Sequence, residues 1–451
     1  MKSLHYRGAR HGRRDGQALV LFLFFSIVLI LFVGLGIDLG FAYITKAQLS
    51  KALDAASLAA VSNYSGADKG AAANLIAQNT FWANYATNGV SGRATGGAQV
   101  TPHGTFSTDA NGNLIYSNTA SAKINTFFIG LLPQWKTLTV GDTAVSTRYR
   151  VVMSLVLDRS GSMAPDCGGV CNGCSDGGTY LPPAVSQFIS IFDETLDQAA
   201  LVTFASSASN DVVMTHQFKT GTPNINSAVA RINGTPAINL WTGGTCSIAG
   251  LTNALVINNS VIAPTSVKVV VFFTDGLADT SQGVFNGHAL NFGRYLPPPP
   301  GCLIPATEFY LTNAPETSLG QNTTACTDTA GKPATCTAPG VSLTGVTQFT
   351  SSVDGKLHNF DFLDITADAT NRCVLIANQM RAASNYVYAV GLDTTTIGAP
   401  TLQLLQEIAN DPASGKFDDT QPVGAAFVSN GTDLTEVFQQ VAADIILRLV
   451  Q

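Results

Sequence analysis

Residues Ala18 to Ile37, ALVLFLFFSIVLILFVGLGI, run for 20 positions without a charge. A stretch of that length can cross a bilayer as a helix, and in lipid a lone segment satisfies its own backbone only as a helix. Before it lies MKSLHYRGARHGRRDG, where Lys2, Arg7, Arg10, Arg13 and Arg14 face Asp15 alone. A cleaved signal peptide has a shorter apolar core followed by a small-x-small site. Here the core is longer and GLGIDLGFAYITKAQ offers no such site, so a retained anchor is the reading. The basic flank orients the amino terminus to the cytoplasm and everything after Asp38 outward. The expectation is a single-pass membrane protein. Residues 1–16 are its cytoplasmic tail, 17–37 its membrane helix, and its carboxyl-terminal domain is periplasmic or extracellular.

A chain of 451 residues has room for two or three domains. Charged residues make up only 12% and hydrophobic ones 45%, which fits a membrane-attached or exported protein with a neutral polar surface. A net charge of −6 with thinly spread Lys and Arg leaves no nucleic-acid footprint. Outside the cytoplasm the eight cysteines are expected as disulfides. They fall into two sets, Cys167, Cys171, Cys174 and Cys246, then Cys302, Cys326, Cys336 and Cys373. The C-x3-C-x2-C spacing of Cys167, Cys171 and Cys174 leaves a soft-metal site as the alternative.

From Phe41 to Tyr64 no Pro or Gly intervenes, so the helix is expected to continue. Leu49, Ala52, Leu53, Ala56, Ala59 and Ala60 form a small-residue stripe on it. A second helix is expected at AAANLIAQNTFWANYA. The Gly-punctuated alternating segments GGAQVTPHG, GNLIYSNTASAKINTFF and KTLTVGDTAVSTRYRV predict a small antiparallel sheet. Residues 38–147 thus read as a pilin-like α+β region. The stretch GQALVLFLF…GIDLGFAYITKAQLSKALDAASLAAV resembles the amino-terminal region of TadE/TadG-like proteins of the tight-adherence (Flp) pilus machinery. Asp38, Tyr43, Leu49 and Asp54–Ala60 occupy that family's places. Prepilin processing after Gly16 would need an acidic residue where Leu21 stands, which argues against a processed pilus subunit.

Residues 148–451 alternate buried strands (RVVMSLVLD, QAALVTFAS, VKVVVFFTD, NYVYAVGLD, AAFVSN) with helices (PPAVSQFISIFDETL, NINSAVARI, SIAGLTNALVI, TNRCVLIANQMRAA, APTLQLLQEIAN, TDLTEVFQQVAADIILRL). DVVMTHQF reads as an antiparallel edge strand. This order predicts an α/β fold with a doubly wound, mostly parallel sheet, whose ligands bind outside the carboxyl ends of the strands. Asp158 and Asp275 each close a buried run there. In DRSGSM, Asp158, Ser160 and Ser162 are spaced by two, which in extended chain puts three hard oxygens on one face. Thr245 precedes a helix, as an N-cap or as a further ligand.

D-x-S-x-S, a loop threonine and a later aspartate together resemble the von Willebrand factor A (VWA) domain and its metal-ion-dependent adhesion site (MIDAS). The resemblance implies a divalent cation held by Asp158, Ser160, Ser162, Thr245 and Asp275. Mg²⁺ is preferred, with Mn²⁺ or Ca²⁺ possible among oxygen ligands. It also implies a protein partner that offers an acidic side chain to the ion. His216 and His288 sit in no recognisable catalytic motif, and no enzyme activity is expected. Two additions surround the site, a cysteine-rich loop at 165–178 and an insertion at 278–368. The insertion reads as irregular, disulfide-stapled chain with short strands that overhangs the metal face, either a variable loop or a specificity or shielding element. The resemblances imply a bacterial inner-membrane protein, and the functional expectation is assembly, anchoring or adhesion of a tight-adherence pilus, with pilus or envelope components as partners. The alternatives are a pilus structural subunit and an envelope scaffold unrelated to pili.

Overall fold

The computed structural model describes residues 15–85, 100–131, 133–164, 176–205, 207–232, 244–263, 265–285, 288–294, 308–312, 348–351, 353–359, 362–392 and 399–450. Its contacts divide the chain into two compact units, Met1–Ser107 with Ile115–Thr147, and Thr108–Leu114 with Arg148–Gln451.

In the first unit the apolar run and the Ala-rich segment form one helix, α1, Asp15–Ser62. It is long and apolar enough to cross a membrane. Its outer part exposes Leu19 to Phe25 and most apolar residues as far as Leu39, whereas Leu49, Ala52, Leu53, Ala56, Ala60 and Val61 are buried. Ala59, expected in that stripe, is only half-buried, and Val61 takes up the packing. Helix α2, Ala71–Asn84, packs on α1. A three-stranded sheet follows, ordered β1 (His103–Thr108), β2 (Leu114–Asn125), β3 (Thr137–Arg148). Alternate residues of β2 are buried, the period-two pattern of a sheet with one covered face. Among them, Tyr116 stacks against Phe106 and donates its hydroxyl to Asn74 on α2, 2.8 Å away. Near the apolar end, the carboxylate of Asp38 accepts the backbone N–H groups of Phe127, Phe128 and Ile129 at 2.8–2.9 Å.

The second unit is built on a six-stranded sheet. Its strands are β4 (Val151–Asp158), β5 (Gln198–Phe204), β6 (Ala208–Thr215), β7 (Val267–Thr274), β13 (Asn385–Leu392) and β14 (Ala425–Ser429), in the spatial order β14-β13-β7-β4-β5-β6. All pairings are parallel except β5 with β6, the expected antiparallel edge. Helices α3 (Gly177–Ser190), α4 (Ile225–Ile232) and α8 (Leu434–Leu449) share one apolar cluster with Met153, Leu155, Val271 and Phe273. Helices α5 (Ser247–Ser260), α6 (Phe362–Ala382) and α7 (Ala399–Ala409) contribute to another with Val156, Val270 and Phe272. Neighbouring residues of β4 and β7 thus enter opposite clusters, and near-continuous apolar runs are what a sheet covered on both faces requires.

Several expected boundaries move: β1 begins at His103, near the end of the expected GGAQVTPHG segment, and α3 begins at Gly177, ahead of the expected Pro182 and inside the loop expected at 165–178. The helix expected to run to Leu196 stops at Ser190, because Asp193 and Asp197 bind nearby backbone and outcompete the helical ladder. Asp193 accepts the N–H of Thr195, and Asp197 accepts those of Asp193 and Val151 together with Arg148 Nη2 at 2.7 Å. Helix α6 starts at Phe362, inside the expected insertion. The rest of that insertion contains short strands, as expected: β8 (Thr280–Phe285), β9 (His288–Arg294) and β10 (Glu308–Thr312) in one antiparallel sheet, and β11 (Gln348–Thr350) with β12 (Leu357–Asn359) in another. Ser281 and Ser351 both donate to Asp368 on α6 and fasten these strands to that helix. Its Pro-rich run and Cys302, Cys326 and Cys336, like the loop carrying Cys167, Cys171 and Cys174, lie outside the described residues.

A buried amide ties the sheet to α5 and α6. Asn258 accepts from Ser154 on β4 at 2.6 Å and donates to Val269 O at 2.9 Å and to Asn385 Oδ1 at 3.0 Å. Asn385 in turn donates to Met380 O on α6 at 3.0 Å. Asn258→Leu would leave several of these groups without a partner, so unfolding of the detergent-solubilised chain should lose on the order of 2–4 kcal/mol. Ser154→Ala, which removes only one donor, should lose about 1 kcal/mol. Equal denaturation midpoints for the two variants would show that the network does not act as a unit.

Candidate metal centre

Strand β4 pairs in register so that Asp158 lies beside Phe204 of β5, while Leu157 lies beside Phe273 of β7. The chain thus leaves the middle of the sheet at Asp158, which is fully buried. One carboxylate oxygen accepts the N–H of Ser160 at 2.7 Å, and the other accepts the hydroxyl of Thr274 at 2.6 Å. Sequence spacing implied extended chain through Ser162. Instead the backbone is extended at Ser160 and then turns through a 3-10 helix, Gly161–Met163. The turn brings the Ser160 and Ser162 hydroxyls to 3.1 Å, and Ser162 donates to Asp275 Oδ1 at 2.8 Å. Four of the five expected residues therefore form one hydrogen-bonded cluster at the carboxyl ends of β4 and β7.

Thr245 reaches the same end of the sheet by another route. It is not the helix N-cap, since Cys246 holds that position. The N–H of Cys246 donates to Ala205 O, just past β5, at 2.7 Å. Gly250 allows α5 to lie so close to the sheet, because a β-carbon there would meet Phe204 and Val156 at 2.8 Å. The N–H of Thr245 donates to the carboxylate of Asp279. Asp279 was not singled out by the sequence, although it stands four positions after Asp275 in DGLAD. It is the link between the threonine loop and the β7 end.

The cluster carries an uneven charge. Burial, and then the charge of Asp275, push the Asp158 carboxyl up to about 8. Burial pushes Asp279 up to about 6, with a lesser contribution from Asp275. Arg159, read only as a spacer in the motif, is buried, and its Nε donates to Thr203 Oγ1 at 3.2 Å. Thr203 donates onward to Asp211. Burial lowers the Arg159 pKa, opposed first by Asp211 and then by Asp158. Among the described residues, no three His, Cys, Asp or Glu side chains group as a metal site. The donors gathered here are carboxylates and hydroxyls, all hard oxygens suited to Mg²⁺, Mn²⁺ or Ca²⁺ and not to a soft metal. Outside the cluster, a ring nitrogen of His216 lies 2.8 Å from the carbonyl of Asp197, a structural position at the opposite end of β5.

The expectation of disulfides fails for the two described cysteines. Cys246 and Cys373 are free and buried. Both belong to the apolar cluster of α5, α6 and α7, where a thiol packs as a small hydrophobe. Burial pushes the Cys246 thiol up to about 12 and that of Cys373 higher still. The thiolate is the reactive species, and here both are shielded and protonated. Iodoacetamide at pH 8 should therefore leave the Cys246 and Cys373 peptides unmodified in the native chain and label both after denaturation. Labelling of either in the native chain, read by peptide mass spectrometry, would contradict the burial.

Comparison with known proteins adds the following. Residues 16–73 match the Tad family model, described as "Putative Flp pilus-assembly TadE/G-like". No curated protein matches the chain. Among solved structures, the PilB minor pilin from Streptococcus sanguinis is similar at 14% identity over 78% of this chain and 79% of that one, with a TM-score of 0.37. The vWF domain of the type V pili tip protein Mfa5 from Porphyromonas gingivalis is similar at 15% identity over 67% of this chain and 97% of that one, with a TM-score of 0.36. Proximal thread matrix protein 1 from the mussel byssus, with a zinc-occupied MIDAS motif, is similar at 14% identity over 67% of this chain and 46% of that one, with a TM-score of 0.33.

Proposed function

We propose that this chain is a membrane-anchored envelope protein with a doubly wound, VWA-like domain. In this reading the domain holds a divalent cation and binds an acidic group of a protein partner in tight-adherence pilus assembly, anchoring or adhesion. The observation that carries the reading is the oxygen cluster in which Asp158 bonds Ser160, Ser160 meets Ser162 and Ser162 bonds Asp275. Asp158 and Asp275 are both buried, and each disfavours charge on the other unless a cation lies between them. Asp158, Ser160, Ser162, Thr245 and Asp275 are the residues that would hold it. When bound, such an ion supplies a Lewis-acidic position that a partner's carboxylate can fill. The match of residues 16–73 supports the pilus context. The role is binding and not turnover.

Divalent ions that bind the folded state raise its stability by mass action, about 2.7 kcal/mol at 100 times the Kd. Mg²⁺ or Mn²⁺ should accordingly raise the melting temperature of the detergent-solubilised chain. Asp158→Asn should abolish that rise and leave the ion-free melting temperature unchanged or higher, because the buried carboxyl already favours its neutral form, which Asn matches in charge and shape. Thr245→Val, which removes a neutral oxygen, should weaken binding by a smaller factor, read by titration calorimetry. An unchanged metal response in Asp158→Asn would reduce the motif to a polar turn.

For topology, alkaline phosphatase fused after Gln451 should be active, and a reporter active only in the cytoplasm should be silent there. The reverse pattern would invert the orientation.

A further inference from the structure

We propose that the connection between β2 and β3 is an interfacial membrane anchor. In it Phe127, Phe128 and Trp135 enter the headgroup–acyl boundary, and Asp38 fixes the depth at which they do so. The proposal rests on the reading of α1 as a membrane span. Four observations within the first unit carry it. Asp38 stands directly after the 20-residue uncharged run that ends at Ile37, a run whose length as a helix matches the hydrocarbon thickness of about 30 Å. Its buried carboxylate accepts three consecutive backbone N–H groups, from Phe127, Phe128 and Ile129. Such charge-assisted bonds are strong, and a carboxylate at the edge of a low-dielectric layer is costly without them.

The third observation sets the depth. A β-carbon added at Gly34 would collide with the Phe128 side chain, so that side chain lies on α1 one turn back toward the middle of the apolar run. One helical turn is about 5.4 Å, which places Phe128 beside the hydrocarbon and not above it. The fourth is exposure. Phe127 and Trp135 are 54% and 51% exposed, and Lys136, also exposed, follows them. Phe127 just before one short 3-10 turn, Ile129–Leu131, and Trp135 at the end of another, Pro133–Trp135, stand exposed where a water-facing loop would present polar side chains. Trp at the boundary, with a basic residue beside it, is the composition of a membrane–water interface.

The test uses the full chain in phosphatidylcholine vesicles. Its three tryptophans are Trp82, Trp135 and Trp241, so Trp82→Phe with Trp241→Phe leaves Trp135 as sole reporter. Fluorescence from Trp135 should fall at least twofold with lipid brominated at acyl positions 6 and 7, and hardly at all with iodide on both sides. Asp38→Asn should reverse the two responses while the protein still resists carbonate extraction. If Trp135 is quenched by iodide and not by brominated lipid in a chain that resists extraction, the anchor stands and this proposal falls. Protection from both quenchers would replace lipid with a protein contact, such as a second copy, and also overturn it. Release of the chain by carbonate would remove the membrane span and the proposal together.

Discussion

Strand β4 has parallel partners on both edges and all eight of its residues buried, with alternate side chains entering different apolar clusters. A chain so enclosed meets polar surroundings first at its ends. At the amino end Asp197 gathers Arg148 and the N–H of Val151. At the carboxyl end Asp158 takes Thr274 from β7 and the N–H of Ser160. Both ends of the central strand are thus closed by a buried carboxylate, but the two differ in charge balance. Asp197 has a guanidinium at 2.7 Å. Asp158 faces hydroxyls, a backbone N–H and the charge of Asp275, and Arg159, whose Nε donates to Thr203, interacts first with Asp211 and then with Asp158. The first end is compensated by the protein itself. The second is arranged as though part of the compensation comes from elsewhere, and that asymmetry motivates the metal reading.

Much of this was legible because the chemistry is local to each element. Buried strands show themselves as apolar runs, and the residue that ends a run marks the sheet edge, so Asp158 and Asp275 could be placed from sequence. DVVMTHQF announced the antiparallel edge by its alternation. The helix expected through Leu196 was misread because Asp193 and Asp197 act on backbone groups, one of them from another strand, and no periodicity records that. The early start of α6 was missed for a similar reason. From Lys356 to Thr370 no Gly or Pro marks where the helix begins, and Asp368 is set by Ser281 on β8 and Ser351 just after β11, both distant in sequence.

Asp279, Arg159 and the cysteines show a different limit. The role of Asp279 depends on the loop before α5 returning to the β7 end, a tertiary fact. Arg159 fills a motif position that any residue can occupy, yet it extends beneath the neighbouring strand to Thr203. Cys246 and Cys373 were assigned by compartment, since an even count outside the cytoplasm suggests pairing. Each instead lies in a core of alanines and aliphatic side chains, where burial alone accounts for a thiol.

Asp38 joins these lines. By sequence it is an acid after an apolar run, on a helix that continues to Ser62. In the structure it is a hub for backbone that comes from about 90 residues further along the chain, so its meaning lies in the partner and not in its own helix. Asp158 and Asp38 thus follow one rule. A carboxylate placed where solvent is scarce must be answered by donors or by a cation. Asp38 is answered in full by three backbone N–H groups, which makes it a fastening. Asp158 is answered chiefly by neutral donors and opposed by a second carboxylate, which is why the proposed cation is placed there. The difference between a structural acid and a functional one lies in what surrounds it, and neither the residue type nor its burial separates them.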